Sequence, residues 1–143
     1  MSKKNPAATP TYEFVVEWGD CDPADIVYYP NYYRWFDNAS HRLIVAAGYF
    51  LDVVRDEHLA LGFPLVNAEA SFSAPARVGD HLQIHSQVIA AGRKSFTIEH
   101  EVMRAETVLV VGREIRIMGK RNANGILEAM ILPEKLKQAF GVE

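Results

Sequence analysis

Cysteine is almost absent from the 143-residue chain, where Cys21 is the single example. One thiol cannot close an internal disulfide, and it cannot supply a multi-cysteine zinc site. That fits a reducing compartment, and a cytoplasmic location is the expectation. Long apolar runs are missing as well. No stretch approaches the ~20 apolar residues that carry a helix across a bilayer, and no apolar segment follows the lysines of MSKKNPAATP as it would in an export signal. No membrane partner is expected. Positive charge is in short supply too: 15 Lys and Arg against 18 Asp and Glu leave a net charge of -3. This argues against nucleic acid as a partner, although the few local cations that grip one phosphorylated small molecule remain available. There are no repeats and no low-complexity linker. The sequence has 49% apolar and 23% charged residues, the composition of an ordinary globular domain. The reading is a short disordered arm over residues 1–10 and one soluble domain over residues 11–143.

Periodicity supplies the elements. Tyr12, Phe14, Val16 and Trp18 alternate with Glu13, Val15 and Glu17, the pattern of a half-buried strand. From Pro30 the spacing becomes helical through Tyr32, Trp35, Phe36, Ala39, Leu43 and Ala46, and it stops at Gly48, a good left-handed C-cap. A shorter helical stretch runs from Phe50 to Leu61 and ends at Gly62. Four strand-like runs follow, over residues 65–72, 81–90, 95–104 and 107–118, punctuated by Pro75, Gly79, Gly92 and later Gly125. A possible short strand over 126–130 precedes a terminal helix opened by Pro133, with Leu136 and Phe140 on one face. A long apolar helix followed by consecutive short-looped strands predicts an α+β domain, an antiparallel sheet with the helix packed on one face. Such a sheet leaves an edge, and pairing with a second chain removes it, so a homo-oligomer is expected.

Residues 18–31, WGDCDPADIVYYPN, carry most of the chemistry. Pro30 falls in the first helical turn and has no amide hydrogen; the preceding amide, that of Tyr29, faces the gap before the helix with the positive end of the helix dipole behind it. An anion or a polarised carbonyl oxygen is welcome there. A carboxylate earlier in the same loop can then reach the carbonyl carbon, or a water beside it, which gives the two parts of an acyl-transfer site. Read by spacing alone, Asp20, Asp22 and Asp25 serve equally as turn formers and helix caps, the commoner use of aspartate beside a helix.

GlyAspCysAspProAla at 19–24, IleValTyrTyrProAsnTyr at 26–32 and ArgTrpPheAsp at 34–37 resemble the signature of the 4-hydroxybenzoyl-CoA thioesterase family. The likeness continues through AlaSerPhe at 70–72, GlyAsp at 79–80, ArgLysSerPhe at 93–96 and GluIleArgIle at 114–117. The resemblance implies a hot-dog fold, a long central helix wrapped by a curved antiparallel sheet, assembled as homodimers that commonly pair into homotetramers. It implies hydrolysis of an acyl-CoA thioester, with an acyl group that is aromatic or a short aliphatic chain. It further puts Asp22 at the catalytic carboxylate, as nucleophile or as base for water, and Tyr29 at the backbone oxyanion donor. Asp20 becomes the structural aspartate of the loop, and Arg93 and Lys94 contact the nucleotide phosphates of coenzyme A. The alternative for that pair is a solvated turn before a strand. Glu69 either lines the acyl pocket or points to solvent. Tyr32 shares helical spacing with Trp35 and Phe36 and reads as core.

One position departs from the family pattern: Asp25 stands where a glycine is usual. If the backbone there has a positive φ, aspartate tolerates it less well than glycine. The departure keeps open a non-catalytic acyl-CoA-binding or assembly protein. A hydratase or dehydratase of the same fold ranks lower, because its helix histidine in a HisPhePro-like setting is missing. No metal or redox cofactor is expected. The five histidines form no zinc pattern, and the aspartates lack the glycine and terminal glutamate of a calcium loop. Cys21 lacks a basic partner and reads as a small filler.

Overall fold

The computed structural model describes residues 10–142. The arm expected over residues 1–10 lies, except for Pro10, outside the described residues. β1 (Tyr12–Val15) leads through a short 3-10 turn (Trp18–Asp20) and the aspartate loop to α1 (Pro30–Ala46) and α2 (Leu51–His58). β2 (Leu65–Phe72), β3 (His81–Ala91), β4 (Ser95–Arg104) and β5 (Thr107–Ile117) follow, then a small hairpin of β6 (Gly119–Arg121) and β7 (Leu127–Ala129), and last α3 (Glu134–Phe140). The large sheet is antiparallel throughout, in the order β1-β3-β4-β5-β2. β1 and β2 are its edges. With α1 laid across one face, this is the α+β hot-dog arrangement.

The pleat decides what each strand gives to the core. In β4, Phe96, Ile98, His100 and Val102 are buried while Thr97, Glu99 and Glu101 face the other way. α1 answers with a stripe of Tyr32, Trp35, Phe36, Ala39, Ser40, Leu43 and Ile44. Two apolar clusters result. One gathers Trp35 and Phe36 against Leu82, Ile84, Val102 and Val110; the other gathers Leu43 and Ile44 with Phe96, Ile98, Leu136 and Phe140. Burying a side chain such as Phe36 is worth roughly 1.5–3 kcal/mol. Its ring fits because β5 has Gly112 beneath it, where a Cβ would come within 2.5 Å of the ring carbons.

Three details differ from the periodic reading. The apolar alternation of the first strand predicts a core-facing Trp18, but β1 ends at Val15 and the chain coils into the 3-10 turn, which leaves Trp18 80% exposed. The second helix stops at His58 and does not reach Leu61, and its left-handed C-cap is Leu59, with φ 55°. The last sheet-like run breaks after Ile117; Gly119–Arg121 then pairs with Leu127–Ala129 across the turn at Asn122–Gly125. Gly48 does take the left-handed conformation, at φ 92°.

Candidate active site

The loop before α1 is held shut by backbone bonds. Cys21 bridges to Val27, and the Asp22 amide donates to the Ile26 carbonyl at 2.9 Å, so residues 21–27 form a closed turn. The Val27 amide ties that turn to the Ala76 carbonyl at 2.9 Å. Within it, Asp22 Oδ1 accepts the Ala24 amide at 2.9 Å, an Asx turn that fixes the carboxylate while leaving it half-exposed. Asp20 works upstream. Its Oδ2 accepts the Glu17 amide at 2.8 Å, its carbonyl accepts the Tyr28 amide and the Asn31 side chain, and Arg34 stands 3.5 Å from Oδ1. Asp25 has φ 63°, so the position where the family pattern has glycine is left-handed here and is occupied by an exposed aspartate.

Tyr29 is the N-cap of α1, with Pro30 at the first helical position. The neighbouring amides are spent: that of Tyr28 on Asp20, that of Asn31 on Tyr28 and that of Tyr32 on Tyr29. Among the described residues nothing accepts from the Tyr29 amide. A free N–H therefore sits at the positive end of a 17-residue helix, beside a turn that carries a half-exposed carboxylate. Cys21, in the same turn, is no rival nucleophile. Burial, together with the charges of Asp20 and Asp22, pushes its thiol pKa up and away from the reactive thiolate.

The other site residues named from the sequence lie elsewhere in the chain. Arg93 and Lys94 are exposed on the turn between β3 and β4. β3 begins at His81, next to the Asp80 carbonyl that holds Val16, and ends at Ala91, so its eleven residues separate the two ends of the sheet. At ~3.3 Å per residue that is roughly 35 Å. One chain does not bring Asp22 and the Arg93–Lys94 pair together. Glu69 pairs with Arg113 across β2 and β5, on the sheet face turned away from α1, and is exposed. It does not approach Asp22 either.

The structure adds a buried polar cluster between the two apolar ones. His100 Nε2 donates to Glu114 Oε1 at 2.7 Å, and Ser86 contacts His100 Nδ1 at 2.6 Å. Ser40, from the middle of α1, donates to the same Glu114 oxygen. Arg116 Nη2 then joins Glu114 Oε2 at 2.7 Å to Asp37 Oδ1 at 2.8 Å, and its Nη1 donates to the Phe63 carbonyl. Burial by itself would raise the Glu114 pKa. The hydrogen bond from His100, the charge of Arg116 and the bond from Ser40 outweigh burial and hold it at about 2. His100 is fully enclosed and stacked on Phe36, with ring centroids 5.0 Å apart. No substrate reaches this serine, histidine and glutamate, so they clamp α1 to the sheet and do not form a nucleophilic triad. Among the described residues no group of three or more His, Cys, Asp or Glu could hold a metal, and no helix is long and apolar enough to cross a membrane.

A helix cradled by an antiparallel sheet is the hot-dog arrangement, and in this chain an unspent amide at the helix N-terminus follows a turn that carries a half-exposed carboxylate. The chain belongs to the thioesterase-like superfamily, whose family model matches residues 16–140. It is 41% identical over 92 residues to 4-hydroxybenzoyl-CoA thioesterase of Pseudomonas sp. strain CBS-3, an alignment covering 62% of this chain and 64% of that enzyme. It is 26% identical over 128 residues to 1,4-dihydroxy-2-naphthoyl-CoA hydrolase of Synechococcus elongatus, covering 88% and 92% of the two chains. The solved structure of the Pseudomonas enzyme superposes with a TM-score of 0.85 at 32% identity, covering 93% of this chain and 99% of that one.

Proposed function

We propose that this chain, through one domain over residues 11–143, hydrolyses the thioester of an acyl-CoA to a free acid and coenzyme A. The observation that carries the reading is the unspent Tyr29 amide at the N-terminus of α1, one turn of chain away from the fixed carboxylate of Asp22. The amide receives the thioester oxygen as negative charge develops on it, and the helix dipole adds to the attraction. Asp22 attacks the carbonyl carbon or takes a proton from the attacking water. By the first route the acyl group passes to Asp22 as a mixed anhydride that water then hydrolyses, and by the second the water adds directly; in both, the carbon–sulfur bond breaks and coenzyme A leaves as a thiolate that takes up the proton released by the water. Asp20 acts on the shape of the loop through the Glu17 and Tyr28 amides. An aromatic acyl group is favoured, because the relatives named above are described as acting on hydroxylated aromatic acyl-CoAs.

The substrate's other end is assigned to Arg93 and Lys94 as cations for the nucleotide phosphates; they lie at the opposite end of β3, a strand roughly 35 Å long, from the end that carries the Asp22 turn, and this separation calls for a second subunit. β2 is an edge with Leu65, Val66 and Phe72 about half exposed, a surface that a partner strand would cover. Antiparallel pairing of two β2 edges about a two-fold axis lays the Leu65 end of one beside the Phe72 end of the other. The Asp22 end of each subunit then adjoins the Arg93 end of its partner. We therefore read the working form as a homodimer or a homotetramer of such dimers, acting in the cytoplasm. Glu69, exposed on the sheet face away from α1, is best read as solvent-facing.

Free-thiol release from benzoyl-, phenylacetyl- and fatty acyl-CoA substrates tests the assignment. Tight binding without thiol release would replace it by the non-catalytic acyl-CoA-binding reading, which Asp25 in its left-handed position keeps in view. Light scattering that finds an active 16.0 kDa monomer would remove the shared site.

A further inference from the structure

A backbone amide points wherever its peptide plane is held, and the plane that carries the Tyr29 N–H is the one joining Tyr28 to Tyr29. The Tyr28 carbonyl accepts the Asn31 amide at 2.9 Å, so it points along the axis into α1. The peptide is trans, and the N–H on its other side points the opposite way, out of the helix and into the gap before it. On its upstream side Tyr28 hangs by its own amide from the Asp20 carbonyl, again at 2.9 Å. With those two bonds alone Tyr28 is a pivot. Rotation about its φ and ψ would swing the loop of Asp20 and Asp22 relative to the helix.

Asn31 closes that pivot. Its side-chain Nδ2 donates to the same Asp20 carbonyl at 2.8 Å, in a partly buried setting. One residue of the first helical turn thus holds Tyr28 through its backbone and Asp20 through its side chain, and the three residues form a closed ring of hydrogen bonds. The helix dipole by itself would favour an aspartate in this turn, but a carboxylate has no N–H to give to a carbonyl. Arg34 also reaches from α1 to Asp20. Its side chain is exposed and stands 3.5 Å from Oδ1, a pair of the kind that constrains little.

We propose that Asn31 is a positioning residue for the hydrolysis: its carboxamide sets the aim of the Tyr29 amide relative to the Asp22 carboxylate, acting through the loop and not on the substrate. The inference rests on the thioesterase reading and deepens it. Asp22 follows Asp20 by two residues, and Cys21 between them is bridged to Val27, so the bond that ties the Asp20 carbonyl to the helix also fixes the carboxylate against the amide.

The test uses Asn31→Ala and Asn31→Ser. Serine suits a helix N-terminus, and its hydroxyl stops one atom short of the Asn31 Nδ2. On an acyl-CoA that the wild type hydrolyses, each variant should lose about ten- to a hundredfold in kcat while KM moves by less than about threefold. A kcat within about twofold of wild type in both variants overturns the proposal. The stretching frequency of the thioester carbonyl separates aiming from a merely structural role, read by infrared difference spectroscopy on isotope-labelled substrate bound to Asp22→Asn chains. An N–H aimed at the oxygen weakens the carbonyl bond and lowers that frequency. Adding Asn31→Ala to those chains should return it toward the value of the free substrate. A frequency that stays lowered means that the amide keeps its aim without Asn31, and overturns this proposal alone. A frequency that is not lowered in Asp22→Asn itself removes the Tyr29 amide from the site, and the reading beneath falls with it.

Discussion

Glu114→Gln is the substitution that most severely tests the clamp beneath the site. The glutamate accepts from His100 and Ser40 on one oxygen and from Arg116 on the other. A glutamine keeps an acceptor for His100 but turns an N–H2 toward the Arg116 guanidinium, donor against donor. Arg116 then keeps the Phe63 carbonyl and the exposed Asp37 carboxylate, with its buried Nε already without a partner among the described residues. Breaking one side of a buried ion pair costs about 3–5 kcal/mol. Titration gives a second measure. The Glu114 pKa falls from 4.5 to about 2 on folding, and at 1.36 kcal/mol per unit that is roughly 3 kcal/mol of pH-linked stability. Because the folded pKa is the lower one, this stability is fully present above about pH 4.5 and is lost as pH falls through about 2. Urea unfolding followed by the fluorescence of buried Trp35, at fixed protein concentration, is the assay. The variant should lose about 3–5 kcal/mol at pH 7, and the gap to wild type should narrow as pH falls from about 4.5 toward 2. A loss below about 1 kcal/mol, or a gap independent of pH, would refute the clamp.

Gly112→Ala puts a methyl group against the Phe36 ring, which is held between the sheet and His100, and should destabilise by about 1–3 kcal/mol in the same unfolding assay. Asp25→Gly relieves a left-handed aspartate and should raise stability by up to about 1 kcal/mol without lowering turnover; loss of hydrolysis would give Asp25 a part in the chemistry. Replacing Arg93 and Lys94 together by alanine should raise KM for an acyl-CoA far more than it lowers kcat, because phosphate contacts far from the carbonyl bind ground and transition states alike. An acyl-N-acetylcysteamine lacks the phosphates, so its kcat/KM should hardly change in that double variant; equal damage to both substrates would mean a solvated turn that supports the fold.

The fold was readable because its signals are local. The stripe from Tyr32 to Leu43 specified the enclosed helix, and β2 to β5 announced themselves by alternation and by turns at Pro75, Gly79 and Gly92. Trp18 misled because alternation cannot tell a strand from an extended approach to a 3-10 turn, and the reciprocal bonds between Glu17 and Asp20 made the difference. The Asp22 turn and the Tyr29 amide were legible for a different reason: both lie within one short stretch of chain. The clamp was not, since its members are spread from Asp37 to Arg116 and meet only through sheet pairing. A signal for it existed nonetheless. His100 shares the parity of Phe96, Ile98 and Val102, and Glu114 and Arg116 share that of Val110 and Gly112, so polar residues at core positions marked a buried network. The left-handed Leu59 had no such mark; the helix was carried on to Gly62 because a glycine is the usual stop.

Asp22→Asn, with substrate binding and turnover measured on the same preparation, puts the central claim to its most direct test. An amide in place of the carboxylate can still accept the Ala24 hydrogen bond that shapes the turn, but it is a poor nucleophile and a poor base. On an acyl-CoA that the wild type hydrolyses, the variant should keep a Kd within a few-fold of wild type while kcat falls by at least about a hundredfold. Near wild-type kcat in a variant that binds normally would contradict the assignment and leave the Tyr29 amide without the carboxylate that the account pairs with it.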